Sequence, residues 1–204
     1  MTLYRTIVAD PPWDIGDMPA FYGYEGPRRP EHRAGTGRIA LGYETMSVKQ
    51  ITALPVKELS KCDAHLYLWT VNRFVPDAYE IARAWGFTPS TLLVWAKAPR
   101  GLGPGGAYAI TTEFVLFCRR GSLPPLQRAD STWWQFKRPY ENGHIVGSRK
   151  PDGFLDVVEQ VSPGPYLEMF ARRNRLGWDT WGNEALEHVD IDRRAASPED
   201  IVKA

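Results

Sequence analysis

Cysteine and histidine are scarce, at two and four in 204 residues. Cys62 and Cys118 lie far apart within apolar stretches, which fits structural thiols and excludes a disulfide framework. None of His32, His65, His144 and His188 stands at metal-ligand spacing from a Cys, a second His or a carboxylate, so no metal site is expected. An excess of charge of one sign is also missing. The 25 Lys and Arg face 24 Asp and Glu, a net charge of +1, which excludes a global basic field. Any affinity for nucleic acid must then come from local patches. No apolar run approaches the roughly 18 residues of a bilayer span, so no membrane partner is expected. The opening segment, MTLYRTIVADPPW, has no secretion-signal core and enters a predicted strand at once; the expectation is a cytoplasmic protein.

Aromatics and proline are abundant, with 12% Phe, Trp and Tyr and 17 prolines. Apolar runs alternate with helical patterns, the mark of an α/β chain. Strands are predicted over 5–9, 65–70, 91–96, 114–118 and 166–170. Ser47 is placed to cap a helix carrying Val48, Ile51 and Leu54, which stops near Pro55. A second helix runs over 74–85, with Gly86 where a helix terminus favours a left-handed residue. A third, over 151–161, starts at Pro151 and presents Phe154, Val157, Val158 and Val161 on one face. Three stretches carry neither pattern: 14–43, 99–112 and 123–149. The expected organisation is one domain over 1–184 with these loops inserted, then an acidic tail or helix over 185–204.

Asp10-Pro11-Pro12-Trp13 directly follows the first strand. In an open α/β sheet, strand C-termini line the ligand crevice, so Asp10 projects into it. The two prolines fix φ and remove N–H donors, leaving carbonyl acceptors held stiffly. Asp10 adds an acceptor and Trp13 a flat face. Such a pocket suits a planar ring bearing an exocyclic amine, such as adenine. An aromatic amine is a poor nucleophile because its lone pair is delocalised. Acceptors on its two N–H bonds favour a tetrahedral nitrogen and stabilise the positive charge that builds during attack.

The order of motifs resembles the MT-A70 family of adenine-N6 methyltransferases. Asp10-Pro11-Pro12-Trp13 is followed by Tyr43-Glu44-Thr45-Met46-Ser47, then by HLYLWT over 65–70 and VWAK over 94–97. EFVLF over 113–117, Arg149-Lys150-Pro151, LEMFAR over 167–172 and GWDTWGNE over 177–184 complete it. The resemblance implies a circularly permuted Rossmann-like methyltransferase fold, with a mostly parallel central sheet flanked by helices. It implies S-adenosylmethionine as cofactor and N6 of adenine as acceptor. On it, Asp10 and the Pro11 carbonyl hold the amine, with Trp13 and Tyr43 packing on the base. Lys150 pairs with the cofactor carboxylate, Arg172 and Asn174 lie around its ribose and carboxylate, and Asn183 and Glu184 at its ribose and adenine. Asp10 also borders the cofactor. Glu113 and Lys97, beside strand ends, are second choices that also fit a surface ion pair.

A target adenine must be flipped out of a duplex or already single-stranded, so the extruded strand needs phosphate and stacking contacts. Residues 26–40 carry a local excess of three positive charges, among them Arg28 and Arg29. Residues 119–150 carry an excess of five, with Lys137 and Arg138 interleaved with Trp133, Trp134, Phe136 and Tyr140. Basic residues mixed with aromatics suit unpaired bases. A small member without RNA-binding modules resembles a DNA-modifying enzyme more than an mRNA-modifying one, so DNA is the favoured partner and RNA the alternative. A non-catalytic nucleic-acid-binding subunit is a third reading, against which the intact Asp10, Pro11, Pro12, Trp13, Lys150 and Asn183 argue. A homodimer and a partner subunit both stay open.

Overall fold

The computed structural model of the chain describes residues 2–15, 44–97, 108, 110–137, 140–141, 144–145, 149–182, 189 and 191. In chain order the elements are β1 (Tyr4–Ala9), α1 (Val48–Thr52), α2 (Val56–Leu59), β2 (Ser60–Thr70), a 3-10 turn (Asn72–Phe74), α3 (Val75–Ala84), β3 (Thr88–Ala96) and β4 (Thr112–Arg120). Then follow β5 (Trp133–Trp134), β6 (Tyr140–Glu141), β7 (His144–Ile145), α4 (Gly153–Val161), β8 (Tyr166–Met169) and β9 (Trp178–Trp181).

A seven-stranded sheet, in the order β5-β3-β4-β2-β1-β8-β9, carries the fold. β1 sits inside it, parallel to β2 on one side and to β8 on the other. Covered on both faces, it reads as the nearly unbroken apolar run TIVA. β9 extends the parallel half beyond β8. Only β4 runs against its neighbours, antiparallel to both β2 and β3, so the sheet is mostly parallel.

Period-two alternation splits the side chains between two cores. Leu66 and Leu68 of β2 join Ile7, Leu116 and Cys118 under Ile51 of α1 and Ala78, Ile81 and Trp85 of α3 or its end. Tyr67 and Trp69 face the other way, with Val8, Val115 and Trp95, onto Phe154, Leu155 and Val158 of α4. Local signals set the helix ends. The Ser47 hydroxyl accepts from the Gln50 N–H while the Gln50 side chain accepts from the Ser47 N–H, a reciprocal cap on α1. Gly86 ends α3 at φ 79°, a left-handed conformation that disfavours any residue with a Cβ.

The C-terminus of α4 is tied down by a buried polar chain. Tyr67 Oη lies 2.7 Å from Ser162 Oγ, which lies 2.7 Å from His65 Nδ1. His65 Nε2 lies 3.1 Å from the Leu123 carbonyl oxygen. Burial lowers the His65 pKa, which favours the neutral ring. One arrangement satisfies every atom: Tyr67 donates to Ser162, Ser162 to Nδ1, and Nε2–H to Leu123.

The differences from the sequence reading are local. β2 begins at Ser60, ahead of His65; Ser60, Lys61 and Asp63 at its start break the apolar run and hide the strand pattern. α4 starts at Gly153 rather than Pro151, whose carbonyl accepts from the Phe154 N–H at 3.1 Å. The stretch 123–149, read without regular structure, contains β5, β6 and β7. Of 14–43 and 99–112, nearly all lies outside the described residues, as does 185–204 apart from Val189 and Ile191.

Candidate active site

The sheet register gathers the site at one end. Ala9 pairs with Leu68 and with Met169, and Met169 with Trp181. Asp10, Thr70, Phe170 and Gly182 therefore leave four parallel strands at the same edge. β4 runs in reverse, so its beginning reaches that edge: Thr70 pairs with Phe114, next to Glu113.

Four charges from four separate segments form a row there. Lys150, just ahead of α4, places Nζ 2.8 Å from Asp10 Oδ2 and 3.3 Å from Glu113 Oε2. Glu113 Oε1 forms a second ion pair with Lys97, the residue after β3. The Lys150 ammonium also lies 5.3 Å from the centre of the Trp69 ring. Burial raises the Asp10 carboxyl above its ordinary value, with Lys150 opposing. Burial also works against the Glu113 charge, but Lys150 and Lys97 together hold its carboxyl below the usual range. For Lys150, burial is outweighed by Asp10 and Glu113, which raise its pKa.

Two cavities adjoin this row. One, of about 480 Å³, is lined by Asp10, Pro11, Pro12, Trp13, Met46, Thr70 and others. The second, of about 330 Å³, lies between β1, β8 and α4 and is lined by Trp69, Phe154, Glu168, Arg149 and Arg173 among others. Asp10, Lys150, Phe170 and Arg172 border both. Phe170 holds φ at 64°, a left-handed conformation unusual for an aromatic residue. Such strain persists where the surrounding structure over-determines it, often at a functional site. Gly182 closes the other wall: a Cβ there would lie 2.6 Å from the Ala171 nitrogen.

The Pro-Pro-Trp segment is more occupied than its sequence suggests. The Pro11 carbonyl accepts from the Trp13 N–H at 2.8 Å and the Pro12 carbonyl from the Met46 N–H at 2.9 Å. Each keeps one lone pair. Trp13 is 5% exposed, stacks on Phe74 at 5.0 Å and donates its indole N–H to the Trp69 carbonyl at 3.0 Å. Its ring is a wall of the larger cavity held by the core, with Phe74 stacked on it. Its hydrogen bond ties the end of β2 to the turn that carries Asp10.

The second cavity has the donor set of an amino acid bearing a further positive charge. Lys150, Arg172 and Arg173 offer cations to a carboxylate, and Trp69, Phe154 and Leu155 line it with apolar surface. Among the described residues, Glu168 Oε2 is buried with no hydrogen-bond partner. Burial pushes this carboxyl up to about 7, with Arg173 opposing. A buried, unpartnered carboxylate oxygen calls for a donor or a cation. The residues present therefore fit S-adenosylmethionine, whose amino-acid end carries an ammonium, a carboxylate and a nearby sulfonium.

The structure brings Asp10, Pro11, Pro12, Trp13, Lys150 and Arg172 together. Asn174 points elsewhere, donating to Thr180 Oγ1 at 3.2 Å, and is not among the residues lining the two cavities. Trp133 is 59% exposed on the edge strand β5. Trp134 is half-buried, 6.5 Å from both Phe136 and Phe154, and Lys137 is exposed. Tyr43, Arg28, Arg29, Arg138, Asn183 and Glu184 lie outside the described residues. Sequence reasoning missed Glu168, placed Arg173 only loosely beside Asn174, and left Glu113 in second place. The signal for both acids was an acidic residue within or opening an apolar strand, YLEM and TEFVLF.

A mostly parallel α/β sheet with one reversed strand, flanked by helices, is the sheet of an α/β methyltransferase fold. The MT-A70 family profile matches residues 4–102. The chain is 30% identical over 189 residues to the type II methyltransferase M.MunI of Mycoplasma sp, covering 89% of this chain and 77% of that protein. It is 25% identical over 195 residues to the N(6)-adenosine-methyltransferase MT-A70-like protein of Drosophila melanogaster. It is 23% identical over 189 residues to the N(6)-adenosine-methyltransferase catalytic subunit METTL3 of Homo sapiens. These matches cover 89% of this chain each, but 27% and 28% of the two longer proteins. The chain belongs to the MT-A70 family.

Proposed function

We propose that the protein transfers a methyl group from S-adenosylmethionine to N6 of adenine in DNA. The observation that carries the reading is the pair of cavities meeting at Asp10. One offers acceptors to an aromatic amine, and the other offers charges to an amino-acid-bearing sulfonium. When bound, the cofactor supplies a methyl group activated by its positively charged sulfur.

The protein's own residues do the rest. Asp10 Oδ2 is engaged by Lys150, which leaves Oδ1 to accept one N6–H. The spare lone pair of the Pro11 carbonyl accepts the other. Both acceptors favour a pyramidal nitrogen and stabilise the positive charge as it forms. The ring lies against Met46 and the edge of Trp13. Lys150, Arg172 and Arg173 hold the cofactor carboxylate, and Glu168 takes its ammonium. The methylated amine then loses one proton, for which Asp10 is the adjacent base.

DNA is favoured over RNA by the degree of the likeness. The chain is 30% identical to the type II methyltransferase and 25% and 23% identical to the two N(6)-adenosine-methyltransferases. The exposed Trp133 and Lys137, with Arg128, offer a stacking and phosphate surface for the flipped strand. Tritium transfer from labelled cofactor to duplex DNA, single-stranded DNA and RNA, with nucleoside analysis, tests the reading. N6-methyladenine in DNA is the expected product. Label confined to RNA overturns the choice of DNA, and no label on any adenine overturns the activity.

A further inference from the structure

Lys97 belongs to neither cavity. Among the described residues its ammonium meets Glu113 and lies 5.5 Å from the centre of the Trp95 ring. Its backbone N–H is held by the Thr111 carbonyl at 2.9 Å, which fixes it across from the start of β4. Glu113 is buried, and its two oxygens are divided, Oε1 to Lys97 and Oε2 to Lys150 at 3.3 Å. Lys150 is divided in turn between Glu113 and Asp10. The row Lys97–Glu113–Lys150–Asp10 alternates in sign and sums to zero. The further charges on Asp10 are Arg172, after β8, and Glu168, within it.

We infer that Lys97 is a positioning residue: by occupying one oxygen of Glu113 it keeps Lys150 against Asp10, and so keeps Asp10 ionised as the acceptor for the amine. The argument is one of competition. A buried carboxylate that loses a counter-ion takes up the nearest remaining cation. Without Lys97, both Glu113 oxygens are left to Lys150. The ammonium shifts from Asp10, whose burial is then opposed by Arg172 without Lys150, which favours the protonated form. A protonated Asp10 has lost acceptor capacity toward an N–H. The inference rests on the reading of Asp10 as amine acceptor.

The test compares Lys97→Met, Lys97→Arg and the double variant Lys97→Met/Glu113→Gln in the full chain. In Lys97→Met the acid limb of kcat/KM should move up by about one pH unit, a tenfold loss of ionisation on that limb. Lys97→Arg keeps the charge and should restore the original limb. The double variant removes the competitor together with its counter-ion, so Lys150 returns to Asp10 and the limb returns as well. A role in packing alone predicts a different order, with the double variant no better than the single one. That order, or an unchanged limb in a folded Lys97→Met protein, overturns the inference. If Lys97→Met does not fold, the double variant decides, since its limb must match that of the unsubstituted protein.

A second readout does not depend on turnover. Carbon-13 NMR of labelled aspartate should show the Asp10 carboxyl titrating about one pH unit higher in Lys97→Met. An unsubstituted protein that transfers no methyl group would refute the proposed function while leaving this titration to judge Lys97. An unmoved Asp10 titration refutes Lys97 alone.

Discussion

Lys150 and Asp10, separated by most of the chain, meet at 2.8 Å where β1 ends and α4 is about to begin. The contact joins the two cavities. It uses one oxygen of a carboxylate that borders both cavities. Asp10→Asn keeps the shape and removes the charge. Methyl transfer should fall by about 10²–10³, the scale of losing one preorganised electrostatic contact in a water-poor site. Circular dichroism should show an intact fold, and tritium transfer gives the rate.

Glu168 should make cofactor binding depend on pH near neutrality. Its carboxyl titrates at about 7, raised from 4.5 by burial. Below that pH it is neutral and offers little to an ammonium; above it the carboxylate is formed and affinity rises. Calorimetry at pH 6 and pH 8 should show tighter binding at the higher value, and Glu168→Gln should abolish the difference. The linkage has the opposite sign for stability. The folded state holds a proton that the unfolded chain releases, so stability falls as pH rises from 4.5 toward 7. Glu168→Gln should therefore stabilise the free protein at pH 8, by at most about 3 kcal/mol.

The His65–Ser162–Tyr67 chain predicts acid sensitivity. The pKa of His65 is lowered below 6.5, so the unfolded chain binds the proton more readily. The stabilisation from the neutral ring is complete above 6.5 and declines as pH falls toward the lower folded value. Thermal unfolding between pH 8 and pH 5 should show this decline. Ser162→Ala leaves both the Tyr67 hydroxyl and His65 Nδ1 without partners, at a cost of about 1–3 kcal/mol at neutral pH.

Adjacent tryptophans should separate. Trp134 packs near Phe136 and Phe154, so Trp134→Ala should lower stability, by about 2 kcal/mol for a half-buried ring. Trp133 is 59% exposed, and Trp133→Ala should leave thermal unfolding nearly unchanged. It should weaken oligonucleotide binding by about 1–3 kcal/mol with little change in salt dependence, as loss of a base stack does. Equal effects of the two substitutions on unfolding would remove Trp133 from the nucleic-acid surface.

Gly182 should not tolerate a side chain. A Cβ would meet the Ala171 carbonyl oxygen and lie 2.6 Å from its nitrogen, both backbone atoms that cannot swing away. Gly182→Ala should force β9 from Ala171 and weaken cofactor binding by calorimetry.

The central sheet was legible because its strands are buried on both faces and read as apolar runs, as TIVA and HLYLW do. β5 is two residues long, too short to carry a period, and WDTW of β9 holds an acid that disguises the alternation. Asp10 and Lys150 could be recognised from their motifs, but not their contact, which joins segments distant in sequence. The importance of Glu113 depends on β4 running in reverse: strand direction decides which end of TEFVLF faces the crevice, and alternation leaves direction open. The setting of Trp13 was hidden for a related reason. An aromatic after Pro-Pro offers a flat face, while the bond from its indole to the Trp69 carbonyl, which ties the ring to the core, comes from tertiary packing.

The wall shared by the two cavities has a thermodynamic consequence. A ligand in either chamber touches Asp10, Lys150, Phe170 and Arg172, so neither chamber can fill without altering the electrostatic and steric terms on which the other is filled. Affinities for the two ligands are then reciprocal quantities: whatever factor the first confers on the second, the second returns to the first. Apparent Michaelis constants for cofactor and nucleic acid will each depend on the concentration of the other. A change at any of the four shared side chains will alter the two together.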